Sequence, residues 1–231
     1  MSDDVAVRPA ATVILVRDGT NGLETLLLRR NSQLAFHGGA WVFPGGRIEA
    51  DDYESGQQPD DLAHPDHEDA ARTAAVREAH EECGLLGDHA SFVPFSHWTT
   101  PPGPPRRFAT WFFLAEAPTG DVATDGGEMT DHRWMRPADA LAAQRAGEIE
   151  LPPPTFVSLT RLEACPTVAD ALDAARDATY VRFEPRLHRV EGGMVHLYDG
   201  DVAYDDIERL DEPAPLHRLW SRGTEWEYVS S

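Results

Sequence analysis

Val76 to Leu86 reads VREAHEECGLL, with three glutamates, Glu78, Glu81 and Glu82, inside five residues. Arg77 precedes them and Gly84 follows. A helix turns about 100° per residue, so positions three and four apart are neighbours. The three carboxylates therefore share one face. Ala75, Val76, Ala79 and Cys83 fall mostly on the other side and read as the buried stripe. Like charges at i,i+4 cost a helix about 0.2–0.5 kcal/mol per pair. A solvated acidic face is the ordinary reading of such a run. It does not explain why Gly84 stops the helix just past the carboxylates, as a C-terminal cap does. A divalent cation would turn the repulsion into coordination, since hard cations such as Mg²⁺ take carboxylate oxygens and keep several waters.

Working outward, the composition limits the function classes. The chain has 231 residues, 41% hydrophobic and 26% charged, which suits one globular core with an extension or two small domains. A net charge of -20 argues against binding nucleic acid through phosphate contacts. The basic residues are all arginine, so any phosphate clamp must use Arg, His or backbone N–H groups. Cys83 and Cys165 are far apart and lack metal-type spacing, and buried reduced thiols suit a cytoplasmic protein. The acidic start MSDDVAVRPAATVILV has no basic n-region, and no apolar run reaches the length of a membrane span.

The neighbouring segments alternate between strand and turn chemistry. Pro9–Asp18 reads as a strand, GTNG as a turn, and Leu23–Arg30 as its returning partner. Ala40–Gly46, AWVFPGG, reads as a short strand running into a glycine turn. Arg47 to His67 is acidic and polar, a loop longer than the roughly 12–15 residues beyond which loops are usually functional or disordered. His64 and His67 read as soluble loop residues, because zinc would want softer ligands nearby. The helix then runs from about Glu68 to Cys83, with His80 at a packing edge. ASFVPFSHWTT and RRFATWFFLAEA pair around PPGPP, EMTDHRWMRP adds a strand, and ADALAAQRAG a short helix. After Leu151–Pro154 come two helical stretches, then β-rich segments at Tyr180–Tyr198 and Leu216–Val229. The proline run marks either a boundary, with domains at 1–150 and 151–231, or a kink within one domain.

Together these parts resemble the Nudix hydrolase signature, G-x5-E-x7-R-E-U-x-E-E-x-G-U with U a bulky apolar residue. Arg77, Glu78, Glu81, Glu82, Gly84 and Leu85 match its second half in register, and Ala79 stands at the first U. Counting back seven residues from Arg77 puts Asp69 where the family has Glu, with Gly46 far upstream and the acidic loop inserted between them. The resemblance covers roughly Ala10 to Ala143. It implies an α/β/α sandwich with a mixed sheet, here followed by a C-terminal α+β extension. It further implies Mg²⁺- or Mn²⁺-dependent cleavage of a nucleoside diphosphate derivative. By resemblance Glu78 and Glu82 are the main metal ligands, Glu81 a further ligand or a water activator, and Gly46 a metal-holding position. Arg77 orients the carboxylates, and Glu128 is a general-base position, with a solvated loop Glu as the alternative.

The substrate is read from smaller signs. Gly39–Gly46 contains G-x3-F-P-G-G, which resembles the motif upstream of the signature in coenzyme A diphosphatases, although Ala35 stands where that motif has Arg. Leu26–Ser32, LLLRRNS, loosely echoes the beginning of that motif. The insertion, WTTP…RRFATWFF and LPPPTF resemble acyl-coenzyme A diphosphatase relatives. On that resemblance Phe43, Gly45, Gly46, Arg106 and Arg107 lie beside substrate. Arg106 and Arg107 either grip phosphate or simply balance an acidic surface. Phe43, Trp98 and Phe108 either stack on adenine and pantetheine or fill the core. Two alternatives stay open: an ADP-ribose or nucleotide-sugar pyrophosphatase, with Pro101 sixteen residues past Leu85, and a non-catalytic nucleotide sensor. The retained Glu78, Glu81 and Glu82 favour catalysis over the sensor. The extension serves dimerisation, substrate closure or partner binding, and a homodimer is one such assembly.

Overall fold

The computed structural model describes residues 5–33, 38–59, 64, 66–124 and 126–231. Ala35 lies outside them, as do residues 60–63 and 65 of the acidic loop.

The N-terminal hairpin forms where turn chemistry and apolar strands predict it. β1 (Val7–Gly19) pairs antiparallel with β2 (Gly22–Arg30), closing Gly19 on Gly22. Side chains alternate along both strands. Val13, Leu15, Leu26 and Leu28 enter one core layer, while Ile14, Val16, Leu23 and Leu27 enter the other. Both faces are thus apolar, as in a sheet covered on both sides.

The predicted single strand over Ala40–Gly46 is two strands. β3 (Trp41–Val42) pairs with β2, and β4 (Gly45–Arg47) pairs antiparallel with β1. The break falls at Phe43-Pro44, where proline offers no N–H to a ladder. Pro44 instead accepts from the Val13 N–H at 3.0 Å. Gly46 therefore sits within a strand, opposite Ala11, rather than at a strand end.

β5 (Val93–Thr99) and β6 (Arg107–Glu116) form the expected hairpin, and β7 (Met129–Met135) adds to β2. β6 lies parallel to β1, and β8 (Val181–Phe183) lies parallel to β5. The result is one mixed sheet in the order β3-β2-β1-β6-β5-β8, with β4 and β7 attached to β1 and β2.

One face is covered by α1 (Asp66–Cys83), which starts slightly earlier than expected. Its packing residues are small: Ala70, Ala71, Ala74, Ala75 and Ala79 are buried, with Cys83 at the end. Small side chains bring the helix backbone close to the sheet. The other face is covered by α2 (Pro137–Arg145), α3 (Pro153–Leu162) and α4 (Val168–Asp177). Pro137 and Pro153 open their helices, where a missing N–H costs nothing. The fold is α/β, a mixed sheet between helical layers.

Beyond β8 a second, antiparallel sheet runs β12-β11-β10-β9, with β9 (Arg186–Val190), β10 (Gly193–Leu197), β11 (His217–Arg222) and β12 (Glu225–Ser230). Tyr198 and Leu219 from this region belong to the same apolar cluster as Phe112 and Phe156. Phe183 stacks on Trp98 at 4.0 Å between ring centroids, so this Trp98 face is used for packing. Cys83 is buried, whereas Cys165 is only half-buried, and both thiols are free. No helix among the described residues is long and apolar enough to cross a membrane.

Candidate active site

Helix α1 ends where its sequence says it should. Gly84 takes φ +74°, and its N–H closes on the His80 carbonyl at 3.0 Å. That conformation is cheap only for glycine. The carboxylates thus stand on the helix's last turns, beside β4. His80 is exposed, not at a packing edge, because it faces away from the sheet.

One cleft of about 580 Å³ gathers Arg77, Glu78, Glu81, Glu82, Gly45, Gly46, Arg106 and Glu128. These come from α1, β4, the mouth of the β5–β6 hairpin and the start of β7. Phe43 and Arg107 are not part of its wall. Phe43 is buried and lines an adjoining apolar cavity together with Trp98 and Phe108. Arg107 donates from Nε to the Thr100 carbonyl at 3.0 Å, bracing the hairpin mouth. Arg106, just before β6, lines the cleft, whereas Arg107, its first residue, does not.

The three glutamates are not equivalent. Glu81 is 56% exposed at its side chain, whereas Glu82 is 5% exposed. Glu82 Oε2 accepts the Gly45 N–H at 2.9 Å. Its carboxyl is pushed up to about 8, first by burial, with the Gly45 N–H opposing, Glu78 raising it, Arg30 opposing and Glu128 raising it. Burial also raises Glu78, against the pull of Arg77. Glycine at position 46 leaves room for the Glu78 carboxylate, which a Cβ there would push aside.

Arg77 organises the cluster. It reaches Glu78 at 2.8 Å and Glu81 at 3.4 Å through one nitrogen, and the Arg47 carbonyl at 3.0 Å through another. It also binds Asp52 in a two-point fork, Nε to Oδ1 at 3.1 Å and Nη2 to Oδ2 at 2.9 Å. Asp52 is buried at the end of a short 3-10 turn, Ala50–Asp52, in which Glu49 and Asp52 cap each other.

That contact corrects the sequence alignment. Asp69 is exposed and does not line the cleft. Asp52 is separated from Gly46 by five residues, the spacing of G-x5-E, and it is Asp52 that pairs with Arg77. The insertion lies after the acidic residue, between Asp52 and Arg77. Counting back from Arg77 missed this; counting forward from Gly46 would have found it.

The start of the insertion is also more ordered than a loop. Tyr53 and His67 are buried and bonded, Oη to Nδ1 at 2.7 Å. His67 therefore is a packed residue of α1 rather than a soluble loop histidine.

Further cleft residues escaped the sequence reading, Glu49 and Arg30 among them. Glu49 contributes to the wall. Arg30, at the end of β2, has a buried Nε without a hydrogen-bond partner. Asn31 beside it holds the loop before β7, donating from its side chain to the Gly127 carbonyl at 2.9 Å and from its N–H to the Glu128 carbonyl at 2.8 Å. This anchors Glu128 at the rim.

Among the described residues no three His, Cys, Asp or Glu side chains form a ready-made metal cage. The donor chemistry nevertheless fits a hard divalent cation. Such ions use few carboxylates and keep waters. A buried Glu82 pushed up to about 8 beside Glu78 is a site short of positive charge.

Comparison with known proteins identifies the family and the fold. The NUDIX domain family matches residues 6–153. The chain is 29% identical over 244 residues to a Caenorhabditis elegans protein named as nudix hydrolase 7, covering 89% of this chain and 77% of that one. It is 25% identical over 281 residues to an acyl-coenzyme A diphosphatase of Xenopus laevis, covering 82% and 73%. The solved NUDIX hydrolase from Alicyclobacillus acidocaldarius superimposes with a TM-score of 0.64 at 26% identity, covering 74% of this chain and 97% of that one. With the family matched over more than half its length, this chain belongs to the Nudix family and is a Nudix pyrophosphohydrolase.

Proposed function

We propose that the protein is a Mg²⁺- or Mn²⁺-dependent hydrolase that cleaves the pyrophosphate bond of coenzyme A or an acyl-coenzyme A. Residues 1–150 carry the hydrolase domain, and residues 151–231 are an extension packed on it. The observation that carries the reading is the pair of charge-deficient carboxylates, the half-buried Glu78 held by Arg77 and the buried Glu82 held by the Gly45 N–H. Glu78, Glu82 and Glu81, with the backbone at Gly46, would hold the cations. Such ions supply charge neutralisation at phosphoryl oxygens and favour ionisation of a nucleophilic water.

The chain's own residues do the remaining work. Arg77 keeps the carboxylates aimed, itself fixed by the Asp52 fork. Arg106 and Arg30, which both line the cleft, bind phosphate oxygens. Glu128 accepts the proton of the attacking water. The water oxygen bonds to one phosphorus, the bond from that phosphorus to the bridging oxygen breaks, and the other phosphate leaves carrying the bridging oxygen and the bond's electron pair. The coenzyme A assignment is supported by the name of the Xenopus laevis relative and by the apolar cavity beside the cleft. A nucleotide-sugar or ADP-ribose substrate is the second reading, suggested by the sixteen-residue spacing from Leu85 to Pro101.

The test is a hydrolysis screen with each cation against coenzyme A, acyl-coenzyme A, ADP-ribose, NADH and nucleoside triphosphates, with Glu82→Gln as control. Release of 3′,5′-adenosine diphosphate and a phosphopantetheine fragment is the expected result. Preference for ADP-ribose would replace the substrate while keeping the chemistry.

A further inference from the structure

A second cavity, about 410 Å³, opens beside the carboxylate cleft. This volume is within the range of small-molecule pockets. The two spaces share Thr12, Arg30, Gly45, Phe108 and Thr110, so they are continuous. Of the shared residues only Arg30 is charged. The inner wall is apolar, with Phe43 from the break between β3 and β4 and Trp98 and Phe112 from β5 and β6. The outer wall comes from the C-terminal region: Pro152–Pro154 at the start of α3, then Pro185, Leu187 and His196. Arg30 is the one residue of this lining that is charged at neutral pH, because burial holds the His196 imidazole neutral.

Leu187 lies on β9 at the edge of the second sheet and is 41% exposed. Only Leu86 and Leu187 are exposed large apolar side chains among the described residues, and Leu187 is the one at a cavity wall. An exposed leucine there gains from a ligand that covers it, at about 25 cal/mol per Å² of apolar surface removed from water.

We propose that this cavity holds the acyl chain of the substrate, and that Leu187 of the C-terminal sheet determines the preference for acylated over free coenzyme A. The inference rests on the coenzyme A reading above. Arg30 stands at the junction and engages the diphosphate. The nucleotide half stays on the Arg106 side, while the thioester end runs between Phe108 and the proline wall. The physical driver is apolar burial, so preference rises with chain length until the cavity is full.

The test compares kcat/KM for coenzyme A, hexanoyl-coenzyme A and dodecanoyl-coenzyme A. In the wild type the acylated substrates are favoured. Leu187→Glu, a change at an exposed edge strand, lowers the dodecanoyl-to-free ratio by about tenfold, and Leu187→Met retains it. An unchanged ratio in Leu187→Glu overturns the inference. If no coenzyme A is cleaved by any variant, the substrate reading fails, and binding decides the cavity. Dodecanoyl-phosphopantetheine, which lacks the nucleotide, then shifts the Trp98 emission in the wild type and not in Leu187→Glu. Absence of a wild-type shift, read against Trp98→Phe, overturns the inference.

Discussion

Glu82 holds its carboxylate against the Gly45 N–H in a setting that resists its ionisation. Glu82→Gln keeps an oxygen for that N–H and removes the acid. Without divalent cation, the variant's Tm is therefore expected to equal or exceed the wild type, while kcat/KM falls by about 10²-fold or more. Thermal melts in chelator and assays in Mg²⁺ separate the two effects; a large loss of cation-free Tm would contradict the charge-deficient site. Asp52 and Asp69 offer a paired contrast. Asp52→Asn weakens a buried two-point fork and is expected to cost about 1–3 kcal/mol, together with activity. Asp69→Ala changes an exposed side chain and should stay within about 0.5 kcal/mol by urea titration. Equal costs for the two would return Asp69 to the signature.

At the scale of elements, the close approach of α1 to the sheet depends on its alanines. Ala75→Leu forces extra volume into a buried seam and is expected to cost about 1–3 kcal/mol. Because the same helix carries Glu78 and Glu82, kcat should fall with it, and circular dichroism melts with kinetics would show both. β5 and β10 each carry a histidine whose imidazole is lowered to about 4. For His97 the cause is burial, then Arg182 and His67; for His196 it is burial. Each ring binds a proton more readily in the unfolded chain. Their contribution is complete above about pH 6.5 and is lost as the pH falls towards 4. The Tm should drop across this window, and less steeply in His97→Gln. Identical slopes in the two proteins would show that His97 is not responsible.

On the scale of the whole molecule, the second half of the chain covers the first. Phe156, Leu159, Leu162 and Leu172 from α3 and α4 lie in the same cluster as Ile14, Leu27 and Phe112. β8 extends the main sheet beside β5. A fragment ending at residue 150 would leave that face of the sheet open to water, a large apolar patch. It is expected to aggregate or melt without a cooperative transition, measured by sedimentation and calorimetry on purified fragment. A soluble, cooperatively melting fragment would show the extension to be dispensable for folding.

The sequence by itself determined the elements whose signals are local. The carboxylate face of α1, its Gly84 stop, the β1–β2 turn and the β5–β6 hairpin all follow from spacings within a few residues, where backbone geometry dictates which side chains meet. Membership of the Nudix family was legible for the same reason, because R-E-x-x-E-E-x-G is a contiguous pattern. Tertiary structure decided what depends on contacts across long separations. The Asp52 fork on Arg77 spans the insertion, so counting along the chain chose Asp69 instead. The break at Pro44 depended on β4 finding β1 rather than β2. Burial of His67 required Tyr53 across the loop, and the split between Arg106 and Arg107 required the Thr100 carbonyl that holds Arg107. The apolar cavity drew its walls from Phe43, Trp98 and Leu187, which no local period connects. Loop closure and packing, which act through space, set these positions; propensity and periodicity, which act along the chain, set the rest.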